Sequence, residues 1–170
     1  KGSESSGGLW YSSENEWFTE LSFNQKCPNV KGTCIYQYKS LVKYKDTLAA
    51  KKVLSECFKY KTQLPVARRY ENQFEETEAK SVSNLKLFKS GDVICLKWDK
   101  LENTKDYVVY QYSGDFDAND ASKVAGLAGN SNDRDYCLFN IKFDGTKGNK
   151  FAVVGLTKSN EPTDVSTISA

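Results

Sequence analysis

Between Asp92 and Trp98 the side chains alternate, with Ile94, Leu96 and Trp98 apolar on one side and Cys95 and Lys97 on the other. A period of two is the mark of a β-strand with one face on a core and one toward solvent. No other stretch constrains the fold as tightly, and the segments around it repeat the pattern. Ser83 to Phe88 alternates ahead of a turn at Ser90-Gly91-Asp92. Beyond a polar connection from Asp99 to Lys105, Tyr107-Val108-Val109-Tyr110-Gln111-Tyr112 reads as a strand of which either face suits burial. A turn-rich loop, Ser113 to Asp120, leads to a weak strand at Lys123 to Leu127. Strands follow at Tyr136 to Ile141, Phe151 to Val154 and Val165 to Ile168, separated by turns at Asn130 to Asp135, Asp144 to Asn149 and Lys158 to Asp164. About seven short strands at even spacing predict an antiparallel β-sandwich over residues 81–170.

The first 80 residues read differently, as an α+β segment, so the chain as a whole is mainly β. Lys1 to Gly8 is a flexible polar lead. Trp17, Thr19, Leu21 and Phe23 alternate and predict a strand, and Cys27 to Cys34 is a turn with Pro28, Asn29 and Gly32 at its bends. Ile35 to Tyr38 looks extended. From 45 to 61 the apolar positions 50, 53, 54, 57 and 58 form one stripe at helical spacing, and Leu64-Pro65 ends that helix. Glu71 to Lys80 is acidic, a second short helix or a linker, and the boundary between the halves falls near Lys80.

At 170 residues the chain has room for a core of its own, and no apolar run approaches a membrane span. Histidine is absent, and Cys27, Cys34, Cys57, Cys95 and Cys137 include no Cys-x-x-Cys pair, which argues against zinc. Five cysteines then read better as structural disulfides of a secreted protein than as buried thiols, with one left over. No Asn-x-Ser/Thr sequon occurs.

Asn84-Leu85, Ile94-x-Leu96-x-Trp98, Tyr107-Val108-Val109-Tyr110, Tyr136-x-Leu138-x-x-Ile141 and Phe151-x-Val153 stand in the order of packing positions in a fibronectin type III domain. Residues 82–170 resemble that family, and no more of the chain does. The resemblance implies a sandwich that works by binding. It also has departures. Phe151 stands where the family usually has Tyr, whose hydroxyl ties the corner between strands, so here packing alone must hold that corner. Placed on the family's strands, Cys95 and Cys137 both point outward from neighbouring antiparallel strands, where opposed Cα atoms are ~4.5–5.5 Å apart, and the resemblance thus implies a bridge between them. A weaker resemblance links Gly8-Leu9-Trp10-Tyr11 and Thr104-Lys105-Asp106-Tyr107 to lipocalins, which would imply a carrier of a small hydrophobic or amine ligand in a barrel.

Charge supplies the strongest candidate site. From Lys26 to Arg69 there are nine Lys and two Arg against Asp46 and Glu56, while Glu71 to Glu78 holds four Glu and no base. Lys43, Lys45, Lys51, Lys52, Lys59, Lys61, Arg68 and Arg69 alternate with aromatics, and Lys45, Lys52 and Lys59 recur every seven residues, sharing one helix face. Such a face suits a glycosaminoglycan or an acidic protein, nucleic acid being the poorest fit for a secreted chain. A solvated face balanced by the neighbouring acids is the simpler reading. Asp115-x-Asp117-x-Asn119-Asp120 is similar to the opening of a calcium loop but has Asp120 where glycine is needed and Gly126 where the closing Glu is needed, so turn acids are expected and no cofactor or metal is assigned. Without His, and without Gly-x-Ser-x-Gly or a phosphate-cradling loop, no catalytic set is seen. The chain reads as a secreted, non-enzymatic adhesion or host-interaction module that meets a protein partner or receptor through the basic helix and the sandwich loops.

Overall fold

The computed structural model describes residues 15–30, 32–34, 48–61, 66, 80–130 and 133–170. The chain divides into two compact units, Lys1–Lys59 and Tyr60–Ala170.

In the first unit the described elements are helices α1 (Glu16–Lys26) and α2 (Leu48–Glu56). The strand expected at 17–23 is therefore helix. Trp17, Thr19, Leu21 and Phe23 alternate, but only Leu21 is buried and Phe23 is two-thirds exposed, so the alternation marks no core face. A helix meets its backbone hydrogen bonds within itself, as in Thr19 N–H to Asn15 O at 2.8 Å, whereas a strand needs a neighbour, and among the described residues none pairs with this stretch. Among the described residues of this unit, Leu21, Ala49, Ala50 and Val53 are the buried apolar groups. Of the helix expected over 45–61, residues 45–47 lie outside the described residues, and α2 stops short of the far end. It ends at Glu56, where Cys57 N–H and Phe58 N–H both turn back to Val53 O, and Leu54 and Phe58 of the expected stripe are exposed.

Among the described residues of the second unit seven strands form, where about seven were expected: β1 (Lys86–Ser90), β2 (Val93–Asp99), β3 (Thr104–Tyr112), β4 (Val124–Gly129), β5 (Tyr136–Lys142), β6 (Lys150–Thr157) and β7 (Ser166–Ser169). They make two antiparallel sheets, one in the order β1-β2-β5 and the other β4-β3-β6-β7. Ser90 pairs with Val93, which leaves Gly91-Asp92 as a two-residue hairpin turn with Gly91 at positive φ. Residues Ile94, Leu96 and Trp98 are fully buried and meet Tyr107, Val109, Phe151 and Val153 of the other sheet in one core. Across that core the Trp98 and Tyr107 rings meet edge to face, 5.3 Å between centroids. Phe151 is fully buried.

Two expectations are corrected by the register of β2 on β5. Ile141, Phe139 and Cys137 lie opposite Ile94, Leu96 and Trp98, so these three share the core face. Tyr136 and Leu138 point outward, and Leu138 is 41% exposed. Cys95 faces Asn140 on the outer side, while Cys137 is on the inner side at 2% exposure. Opposite faces of one sheet cannot be bridged, so the Cys95–Cys137 disulfide is excluded by the pleat itself. No two of the five cysteines stand at disulfide distance in this structure.

The four-stranded sheet is buried on both sides, which is why the alternation of Tyr107–Tyr112 favoured neither. Val108, Tyr110, Tyr112, Ala152, Val154 and Leu156 form a second cluster on its outer face, with Phe116 and Val124 packed on it. Phe116, from the loop after β3, sets its ring 5.1 Å from Tyr110 and 5.3 Å from Tyr112.

Candidate functional site

Four of the eight basic candidates, Lys43, Lys45, Arg68 and Arg69, lie outside the described residues. Lys51 and Lys52 stand on α2, and Lys59 and Lys61 come after its end at Glu56. The seven-residue recurrence thus does not carry a continuous helical face from Lys52 to Lys59. Lys52 is also committed inside its unit: its Nζ donates to Asn15 Oδ1 at 2.6 Å and sits 4.9 Å from the centre of the Phe18 ring.

The acidic motif is turn chemistry. Asp117 Oδ1 accepts from Asn119 N–H at 2.9 Å, and Asp120 Oδ1 accepts from the Ser122 hydroxyl at 2.5 Å and its N–H at 3.0 Å. The hydroxyl above all, then the N–H, holds the Asp120 carboxyl below the usual carboxylate range. Asp144 is held down the same way by Thr146, hydroxyl first. Among the described residues, no cluster of three or more His, Cys, Asp or Glu is placed to hold a metal.

A surface the sequence did not disclose lies on the outer side of the three-stranded sheet. Register sets three rows across it: Lys86, Lys97 and Leu138; Phe88, Cys95 and Asn140; Ser90, Val93 and Lys142. Four strand residues of large apolar type are exposed by about 40% or more, and three of them, Phe88, Val93 and Leu138, fall on this face, the fourth being Leu127. No ion pair to a described carboxylate forms at Lys86, Lys97 or Lys142. Lys97 lies 4.0 Å above the Tyr136 ring, and Asp99, beyond the first row, is taken up by Ser83 and Asn84 at 3.1 and 2.6 Å. The alternation that buries Ile94, Leu96 and Trp98 already sends Lys97 outward. Which residues stand beside it depends on a register that no local pattern supplies.

This face runs on to one end of the sandwich. Lys142 also lines an open groove of about 520 Å³ with Gln111, Ile141, Phe143, Asp144, Gly145 and Lys147, and Lys89 Nζ lies 5.0 Å above the Phe143 ring. At its floor the buried Gln111 donates from Nε2 to Asp144 O at 2.7 Å and Gly148 O at 2.8 Å, pinning the β5–β6 turn. The loop Lys158 to Asp164 is likewise held, through Thr157 N–H to Glu161 O and Thr163 N–H to Gly155 O.

No protein-family model matches the chain, and no curated protein matches it. Among solved structures it is similar to the spore cortex lytic enzyme SleM of Clostridium perfringens, at 16% identity and a TM-score of 0.39 over 54% of this chain and 28% of that one. Wild-type OgpA of Akkermansia muciniphila, at 15% identity and a TM-score of 0.40, covers 56% of this chain and 29% of its own. A catalytically inactive OgpA in complex with an O-glycopeptide substrate matches at 16% and 0.36, over 56% of this chain and 30% of that one. The chain thus spans under a third of these proteins, and likeness at such scores carries no weight for its function.

Proposed function

We propose that the chain is a non-enzymatic protein-binding module of the adhesion or host-interaction kind, built on a sandwich similar to fibronectin type III and working outside the cell. The observation that carries this reading is the gathering of Phe88, Val93 and Leu138, all exposed, on the outer side of the β1-β2-β5 sheet. Apolar groups concentrated on one face of a small sandwich, rimmed by lysines, have the composition of a contact surface rather than of plain solvated sheet. The family resemblance supports it in part: Ile94, Leu96, Trp98, Tyr107, Val109, Phe151 and Val153 lie in the core, whereas Tyr136 and Leu138 face outward. The contact surface proposed here replaces the basic helix, because Lys52 is turned to Asn15 and Phe18 and the lysine face ends with α2. The lipocalin alternative needs one closed sheet, and the described strands form two.

Binding of the fluorescent full chain to cells and to extracellular matrix tests this. Replacing Phe88 and Leu138 together by Ser, both outside the core, should reduce binding at least tenfold while the thermal transition stays in place. Unchanged binding would remove this surface from the function.

A further inference from the structure

Resting on that reading, we infer that the partner presents an extended acidic segment with an apolar side chain midway between two carboxylates, and that the outer face of the three-stranded sheet receives it. Lys86 and Lys97 are directly opposed across β1 and β2. Like charges placed so repel each other, and no described carboxylate sits between them to relieve it. An anionic group seated over that pair removes the repulsion and gains both cations at once. The second row, Phe88 beside Cys95, offers apolar surface with no charge on it. The third row ends in Lys142, which no described carboxylate pairs either.

The spacing of these rows defines the pattern of the occupant. From Lys97 to Val93 the sheet advances four residues, or ~13–14 Å at the usual rise of a strand. A segment lying extended along that direction advances at the same rate, so carboxylates four residues apart reach the Lys86–Lys97 pair and Lys142, and the side chain between them comes down on Phe88 and Cys95. The order is acidic, any, apolar, any, acidic. A sulfated polysaccharide would satisfy the lysines and leave Phe88, Val93 and Leu138 uncovered, so a protein segment fits the face better.

The test uses the full chain and a synthetic peptide repeating Glu-Thr-Phe-Thr, with a peptide of the same composition but clustered Glu residues, and heparin, as comparison probes. With the isotope-labelled chain, the patterned peptide should shift amide signals in residues 86–99 and 136–142 and should bind at least tenfold more tightly than the clustered one. Charge reversal at Lys86→Glu with Lys97→Glu should weaken it at least tenfold, Phe88→Ser should weaken it several-fold, and Lys59→Glu with Lys61→Glu should leave it unchanged. Circular dichroism and the thermal transition confirm that each variant is folded. The proposal is overturned by failure of the peptide to bind, by equal binding to the Lys86/Lys97 variant, or by heparin binding that outcompetes the peptide and ignores Phe88→Ser. Loss of cell binding in the Phe88/Leu138 variant but not in the Lys86/Lys97 variant would retain the binding module and reject the acidic partner.

Discussion

Gly148 is the position at which one methyl group should do most damage. It lies in the β5–β6 turn with φ +107° and ψ 177°, a region that is essentially closed to side-chain-bearing residues. A Cβ built there would stand 2.2 Å from Tyr112 O, 2.4 Å from Tyr112 C and 2.6 Å from Ser113 N, all backbone at the end of β3. Carbon and oxygen normally approach no closer than ~3.3 Å, so the turn must move away from the strand by about 1 Å. Such a shift pulls Gly148 O off the buried Gln111 amide, which now holds it at 2.8 Å. The strained conformation costs about 1–3 kcal/mol. Loss of the hydrogen bond to a buried amide adds about 1–3 kcal/mol, for a total of roughly 2–6 kcal/mol. Gly145→Ala in the same turn is the control, because its φ is ordinary and the nearest atom to the new Cβ is Phe143 Cε1 at 3.7 Å. We expect it to stay within about 0.5 kcal/mol of the parent. The readout should report on the sandwich alone, so brief thiol labelling of Cys137, only 2% exposed in the folded protein, is followed by mass spectrometry along a urea titration. If Gly148→Ala labels Cys137 with the same midpoint as the parent to within about 1 kcal/mol, the turn is not held as described.

Burial, opposed by the Leu101 N–H and reinforced by neighbouring Cys137, pushes the Tyr107 phenol from 10.0 up to about 12. The unfolded chain therefore gives up that proton first, stability is full below about pH 10 and falls as pH rises toward 12, and Tyr107→Phe should flatten this fall in urea midpoints measured from pH 9 to 12. Tyr110 and Tyr112, both raised by burial, should keep a remaining slope. In β4, a Cβ on Gly126 would come within 2.8 Å of Phe139 Cζ, so Gly126→Ala should cost about 1–3 kcal/mol by overpacking, and the double variant with Phe139→Leu should recover part of it in the same titration. Non-reducing peptide mapping should show no Cys95–Cys137 link, and native thiol labelling should modify the exposed Cys34 well ahead of Cys137. A Cys95–Cys137 peptide would overturn the register of β2 on β5.

What could be read in advance follows from how much each local pattern determines. The strands were legible because polar and turn residues bound them: Gly91 with its positive φ closes the β1–β2 hairpin, and Asn103 and Asn160 take the left-handed conformation in the connections read after β2 and β6. Trp98 was legible as core because Ile94, Leu96 and Trp98 put the larger apolar groups on one side, against Cys95 and Lys97 on the other. In β5 that condition fails, since Tyr136 and Leu138 are as apolar as Cys137, Phe139 and Ile141, and a slip of one residue exchanges the two sets. The bridge between Cys95 and Cys137 was lost with that choice. In α1, Trp17 and Leu21 satisfy a period of two and a spacing of four equally well, so the alternation could not separate strand from helix. Lys52 was found as a cation, but its contacts with Asn15 and Phe18 depend on how two helices meet.

The distribution of apolar groups among the four faces of the sandwich narrows where binding can occur. Both inner faces are consumed by the core around Trp98 and Phe151. The outer face of β4-β3-β6-β7 holds Val108, Tyr110, Tyr112, Ala152, Val154 and Leu156 already buried, with Phe116 and Val124 packed on them. A partner could reach that face only by displacing packed side chains, of which Val108, Val154, Leu156 and Phe116 are each worth about 1.5–3 kcal/mol when buried. The outer face of β1-β2-β5 asks for no such displacement. Phe88, Val93 and Leu138 are already exposed there, and Lys86, Lys97 and Lys142 are held by no described carboxylate. Burying these side chains against a partner therefore adds apolar contact without breaking any within the fold, and the lysines set which charge that partner must carry.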